Sequence, residues 1–480
     1  MSVEYWFVVA AGLAMLLPVG LILIAAAGLD PKRAWDVALG GLAALALAGL
    51  GYWAVGFALQ FGGIGLLYPQ PGLLGLVWEW SALPPDWGTG WGMAGLSGWF
   101  LSSDIATPEV YALFLGHLPW AMTAALLPTV ALRGRAPALA SLLIALLTGG
   151  LVYPLAGNWV QGGGWLAALG NNLGLGHGFV DFAGAGTVFL VASSFTLAAL
   201  LAWLPRQEPR PLDDPELPPA QLPLLAVTGA LFLFTGAVGW SWSNPIQTAG
   251  LGAAASLRGG INLLLAGGGG VLVPLLYTWF VVGHSHPLMS ARGVAAGIIA
   301  GLAVGPFVLP GTALLLGMVV GASVPLVTFG VDRLLRLNDR AGVMSMAGIP
   351  AALGLLAVGL WADGSLGAGW QLTGLESHLG VAGQGVSGLF VASGYQPDFP
   401  GQLQAQLIGL VALALWGFVT GAAVNVPLSV MFHGLEAAAS AQTPVGMAGP
   451  AQLIQEPESQ AGQPGPLETP RGDESLVHET

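Results

Sequence analysis

Cysteine is absent from this 480-residue chain, which excludes disulfides, thiolate metal sites and cysteine nucleophiles while leaving the redox compartment open. Charge is nearly as scarce. Charged residues make up 8% of the chain against 55% hydrophobic, and the mean hydropathy is +0.76, so a water-soluble fold would lack the polar surface to cover itself. Lipid is the natural solvent. The formal net charge of −12 says little about partners, because seven of the acids (Glu436, Glu456, Glu458, Glu468, Asp473, Glu474, Glu479) lie in the polar C-terminal region. Nothing basic enough to bind nucleic acid is present. No catalytic triad, metal-ligand cluster or phosphate loop stands out and no cofactor is called for, which leaves an enzyme as the weakest functional class.

What is present points to a polytopic membrane protein. Ten of the 12 Lys and Arg residues fall in short gaps between apolar stretches, and in every second gap: Lys32 and Arg33, then Arg133 and Arg135, then Arg206 and Arg210, then Arg292, then Arg333, Arg336 and Arg340. The intervening gaps, roughly 62–107, 158–180, 305–311 and 364–403, contain none, and only Arg258 breaks the pattern before the tail. Short basic loops resist translocation and stay cytoplasmic. Apolar runs near 4–28, 36–61, 109–132, 137–157, 182–204, 221–242, 261–283, 290–306, 310–332, 343–362 and 404–430 are each about long enough to cross a bilayer, which takes about 20 residues. That predicts about eleven transmembrane helices in the cell membrane, N-terminus outside and C-terminus cytoplasmic. The opening MSVEYW lacks a basic n-region, so the first helix is read as retained.

Gly accounts for 75 residues, about twice its usual share of ~7%, and in lipid such small side chains let helix backbones approach closely. The fold class expected is therefore an all-α, tightly packed bundle. Eleven spans divide as five plus five plus one, and two five-helix units in series have opposite orientations, so the count suggests a 5+5 inverted repeat with one C-terminal helix. The segment 62–107 carries Trp78, Trp80, Trp87, Trp91 and Trp99 among Gly and Pro, as expected of an outer loop at headgroup depth. Residues 1–435 form the transmembrane domain in this reading, and 436–480, rich in Pro, Gln, Gly and Glu, a disordered cytoplasmic tail.

Ionisable groups inside a membrane are costly and usually mark ion or proton routes. Here the spans contain essentially none at mid-depth: Glu4, Asp36, Glu109 and Asp181 sit at span ends, His284, His286, Asp332 and Asp339 border the basic side, and His117 alone among the histidines falls within a span. A proton- or sodium-coupled pump and a voltage sensor are disfavoured. A passive pathway, or none, remains.

Three stretches carry a resemblance. Asn158-Trp159-Val160-Gln161-Gly162-Gly163-Gly164-Trp165-Leu166 followed by Asp181-Phe182-Ala183-Gly184-Ala185-Gly186-Thr187-Val188 resembles the Trp-Gly-Gly-Gly-Trp-Leu and Asp-Phe-Ala-Gly-Gly-Thr-Val elements of the Amt/Rh ammonium transporter family. Gly239-Trp240-Ser241-Trp242-Ser243-Asn244 is similar to that family's Gly-Trp-Phe-Gly-Phe-Asn. Asn338-Asp339, Ser345-Met346-Ala347-Gly348-Ile349 and Ala357-Val358-Gly359-Leu360-Trp361-Ala362 look like its Asp-Asp, Val-His-Gly-Val and Ala-Val-Gly-Leu-Phe-Ala stretch. Their order agrees with the family over roughly 1–430.

The resemblance implies eleven helices, a narrow hydrophobic pore in each subunit of a homotrimer, an outer ammonium site of aromatic rings and a hydroxyl, and two facing histidines midway. Cation–π attraction explains the aromatics, and the paired imidazoles offer a relay that separates a proton from neutral ammonia. This chain departs at most of those positions. The first histidine position falls on Leu190, with Phe189 beside it, and the second on Ala347; the outer Trp is replaced by Gln161 and the hydroxyl residue by Gln247. Trp120 takes one place in the aromatic gate, its partner falling between Phe114 and His117, and Asp181 is retained.

Each retained residue also has an ordinary structural reading. Asp181 can cap the helix it opens, Trp120 can be packing, and Asn158, Gln161, Asn244 and Gln247 can line a polar vestibule or bond loop backbone. Two functions follow from the same residues: a passive conduit for ammonium/ammonia or another small neutral solute, or a non-conducting relative acting as sensor, scaffold or assembly subunit. Gly434-Leu435-Glu436 echoes a Gly-Leu-Asp element of the family's cytoplasmic regulatory segment, which would engage a cytoplasmic regulatory protein.

Overall fold

The computed structural model describes residues 3–29, 31–87, 90–203 and 221–442. Among them, eleven helices are long and apolar enough to cross a membrane: α1 Tyr5–Ala27, α2 Val37–Leu67, α3 Pro108–Ala131, α4 Ala138–Val160, α5 Ala185–Ala202, α6 Gln221–Ser241, α7 Gly250–Val282, α8 Pro287–Phe307, α9 Pro310–Leu334, α10 Met344–Trp361 and α11 Gly401–Gly434. The expected boundaries hold within a few residues except for α7, whose helix starts at Pro245 and is broken by the positive φ of Gly252. Among the described residues, sheet is confined to two hairpins, β1 Glu79–Ser81 with β2 Gly92–Gly95 and β3 Ser377–His378 with β4 Val381–Ala382. The bundle comprises Met1–Met431; a second unit begins at Phe432, and its described residues are helical to Gln442. Most of the region expected as a tail, like Arg206 and Arg210, lies outside the described residues.

Helices α5 and α8 are the most buried, whereas α7, α9 and α11 leave broad apolar faces exposed, including Phe280, Leu326 and Val430. Where water is the solvent such faces would be a liability; against lipid they are the expected surface. Among the described residues, five helical turns are π-type, at Tyr52–Gly56, Thr148–Val152, Ala185–Leu190, Gly330–Leu334 and Met344–Gly348. The first two pack together, as do the third and fifth. At the first crossing Gly51 is essential, because a Cβ there would lie 2.8 Å from the Leu146 carbonyl.

Three of the basic gaps, those of Arg135, Arg292 and Arg340, meet on one face. Arg135 donates to the carbonyls of Leu337 and Asn338, and Arg292 donates to that of Arg340. The Lys- and Arg-free gaps meet at the opposite face, where Trp165 N–H donates to Gly92 O (3.2 Å) and Asn171 Nδ2 to Gln371 O (3.0 Å). Arg258, the exception to the sequence pattern, is not a loop charge at all. It lies within α7 and donates to Val308 O (2.9 Å), to Ser365 Oγ (2.8 Å) and to the Asp363 carboxylate.

Candidate functional site

The turn that enters α5 is built by partners from distant parts of the chain. Val180 N–H donates to Gln406 Oε1 (2.8 Å), and Gln406 Nε2 donates back to Val180 O and to Leu355 O, both 2.9 Å. Two amides on the inner face of α11, Gln402 and Gln406, thus clamp the segment leading to Asp181. The Asp181 carboxylate is fully buried, and its Oδ2 accepts from Thr187 N–H (2.9 Å) and Thr187 Oγ1 (3.1 Å). Burial pushes this carboxyl above the ordinary range, opposed by hydrogen bonds from Thr187, Gly186 and Gln161. Its capping reading is what these bonds describe.

Next to this turn lies an aromatic stack. Trp120 and Trp240 are parallel, with centroids 5.2 Å apart and an interplanar angle of 2°; His117 lies 4.6 Å from Trp120 and Phe189 5.9 Å from Trp240. Trp120 Nε1 donates to Ser243 Oγ (3.2 Å), and Trp240 Nε1 to Ala183 O (2.8 Å). Gly184 has φ +79, and a Cβ there would come 2.6 Å from the Trp120 ring, so the turn and the stack fit only because that position lacks a side chain. Within the range expected for Trp120's partner, the ring contact falls to His117; Phe114 stacks on Tyr52 instead, at 5.4 Å.

A buried polar cluster surrounds His117. Tyr52 Oη donates to Gln60 Oε1 (2.9 Å), Gln60 Nε2 donates to Tyr153 Oη (3.2 Å), and His117 Nδ1 lies 3.1 Å from Tyr153 Oη. Sequence reasoning noted His117 but not its partners. The signal was Gln60, Tyr52 and Tyr153 on otherwise apolar helices.

Gln161 and Gln247 come together in a cavity of about 270 Å³ also lined by Tyr68, Trp370, Gln371 and Leu375. Asn244 does not line it. Its Oδ1 caps the helix that becomes α7, accepting from Ile246 N–H (3.1 Å) and Gln247 N–H (3.4 Å). Trp370, in the cavity wall, packs on Phe307 at 5.0 Å and on Phe182 at 6.3 Å, while Gln161 Nε2 reaches from the cavity to Asp181 O at the α5 turn (3.4 Å). Deeper in the bundle, Leu190 and Ala347 lie on the two π-turns that pack together, and both are buried. The sequence shows no metal-ligand spacing, yet the fold also gathers His177, His378 and Asp398, with donor atoms within 4.8 Å of one another.

Comparison with known proteins agrees with this architecture. A sequence model described as the Ammonium Transporter Family matches residues 5–444. Ammonium transporter Amt2 of Archaeoglobus fulgidus is 28% identical over 427 residues, covering 87% of this chain and 81% of that protein. Among solved structures, a protein named Sensor Amt Protein superposes with a TM-score of 0.67 at 20% identity, covering 88% of this chain and 92% of that one. Mep2 of Candida albicans superposes with a TM-score of 0.64 at 20% identity, covering 88% and 82%. These last two likenesses speak to the fold.

Proposed function

Because the chain belongs to the ammonium transporter family and is an ammonium transporter-like membrane channel, we propose that it passes neutral ammonia, or another small neutral solute, passively, and conducts little ammonium ion. The observation that carries this reading is the mid-bundle pair of π-turns bearing Leu190 and Ala347, with no imidazole on either. An apolar mid-pore offers a cation no replacement for its hydration and no acceptor for its proton. Charge at mid-bilayer without such help costs at least about 2.5 kcal/mol, which slows passage by roughly two orders of magnitude. The test compares the native protein with a Leu190→His/Ala347→His double variant in liposomes, following ammonia uptake and electrical current. Ammonia flux without saturable current in the native protein is the expected result, and current should appear in the double variant. Robust saturable ammonium current in the native protein would overturn the proposal.

In this reading the cavity holding Gln161 and Gln247 receives the solute, Trp120 gates below it and Asp181 positions the turn between them. Transport is the activity assigned, rather than a chemical reaction. The family relationship supports a homotrimer, with the exposed faces of α7, α9 and α11 available to lipid and to neighbouring subunits. Two five-helix halves of opposite orientation are supported by neighbour relations that repeat with an offset of five: α2 packs on α3 and α4 as α7 packs on α8 and α9, and α3 packs on α5 as α8 packs on α10. Clustering of three of the basic gaps on one face supports an N-terminus outside and a C-terminus in the cytoplasm, where a regulatory protein would meet the tail.

A further inference from the structure

Three histidine and carboxylate side chains outside the proposed route converge from three different segments. His177 lies in the loop after the short helix Leu169–Leu173, held between Gly176 (φ +55) and Gly178 (φ +72). A Cβ on Gly178 would meet the Ala167 carbonyl at 2.1 Å, so this path of the backbone needs its glycines. The His177 N–H is anchored to Gln402 Oε1 at 2.9 Å. His378 ends β3, in a hairpin whose turn residues Leu379 and Gly380 both have positive φ, as a two-residue type I′ turn requires. Asp398 precedes α11, and its carbonyl accepts from Gln402 N–H at 3.0 Å.

The side chains are arranged as a donor set. His378 Nε2 lies 2.7 Å from Asp398 Oδ2, which brings an imidazole nitrogen and a carboxylate oxygen together at one point. The His177 ring is 4.2 Å from that of His378, centroid to centroid. His177 is completely buried, and neither of its ring nitrogens has a hydrogen-bond partner among the described residues. Buried polar atoms are rarely left unsatisfied, because the cost of desolvation is then uncompensated.

We propose that His177, His378 and Asp398 bind a divalent transition cation of the zinc type, which ties the 174–180 loop, the β3–β4 hairpin and the start of α11 together. Two imidazole nitrogens and one carboxylate oxygen suit zinc, with a fourth position left for solvent. Tetrahedral zinc holds such donors about 3.4 Å apart, so donors lying within 4.8 Å reach the geometry by small side-chain rotations. The segments 161–184 and 363–400 contain no Lys or Arg, so no basic side chain of these loops repels the ion. The consequence reaches the cavity. Thr373 Oγ1 donates to Asn171 Oδ1 (3.1 Å) and Asn171 Nδ2 to Gln371 O (3.0 Å), coupling the clip to residues beside the Trp370 wall.

The experiment uses the full chain, purified in detergent without a polyhistidine tag, stripped with EDTA and titrated with zinc chloride. One equivalent of zinc should bind per chain, with affinity falling at least tenfold in His177→Gln and in Asp398→Asn and unchanged in a His284→Gln/His286→Gln control. Cobalt added to the unmutated chain should give the visible absorption of a four-coordinate site, a readout independent of whether the variants fold. Absence of stoichiometric binding, an octahedral cobalt spectrum, or loss of binding only in the His284/His286 control would overturn the assignment. Ammonia flux does not enter the readout, so the fate of the transport reading leaves this test unaffected.

Discussion

Asp181 shows how one side chain can be read two ways and then separated. Its carboxylate satisfies Thr187 through two hydrogen bonds, so removal should cost about 1 kcal/mol of stability, as for other helix caps. Asp181→Asn keeps an acceptor and should retain near-native ammonia uptake in liposomes, while Asp181→Ala should lower both the melting temperature and uptake. An equal loss of uptake in both variants would mean that the charge itself matters. Glu79 is the second residue with a measurable signature. Its carboxylate is wedged where Cβ atoms on Gly63 and Gly92 would fall 2.5 and 2.2 Å away, and burial pushes its pKa up to about 7. The folded state therefore holds a proton that the unfolded state releases, so stability falls as pH rises from about 4.5 to about 7 and levels off above. Thermal melts across that window should show the slope, and Glu79→Gln should flatten it. Trp120 and Asp181 stand out in the sequence through a family resemblance, and the structure buries both beside the α5 turn. The Gln60 cluster does not stand out, because Gln60 and His117 lie 57 residues apart and no spacing rule links them.

At the level of elements, hydropathy alone placed all eleven spans, since crossing lipid demands length and apolarity and little else. It missed only the start of α7, where the Gly-rich stretch with Arg258 reads as polar although the helix begins at Pro245. The Arg258 charge is matched inside the protein by Asp363, a pairing that hydropathy averages cannot see. The π-turns were equally invisible, because they arise from how neighbouring helices meet. The crossing of α2 and α4 makes this testable. Gly51→Ala would place a methyl 2.8 Å from the Leu146 carbonyl, whereas at Gly268 nothing lies within 4 Å of an added Cβ. The first substitution should destabilise the bundle by about 1–3 kcal/mol, the usual cost of overpacking, and Gly268→Ala should be neutral or slightly stabilising. Thermal unfolding in detergent compares them directly.

For the whole molecule, the decisive asymmetry is between its two faces. One collects Arg135, Arg292 and the 335–343 segment into shared hydrogen bonds, and the other is assembled from loops without Lys or Arg beside which Arg258 is bound to Asp363. Loop charge sets orientation because a basic loop is hard to translocate, and an ion-paired Arg within a helix adds little to that barrier. The face of Arg135 should therefore lie in the cytoplasm, which requires the N-terminus outside with eleven crossings. The absence of cysteine gives a clean background for the measurement. Single cysteines introduced at the exposed Gln70 and Glu376 should react with an impermeant maleimide on intact cells, while those at Arg133 and Arg336 should react only after permeabilisation. The reverse sidedness would overturn the orientation and, with it, the assignment of the Gln161–Gln247 cavity as the entrance, since that cavity would then open to the cytoplasm.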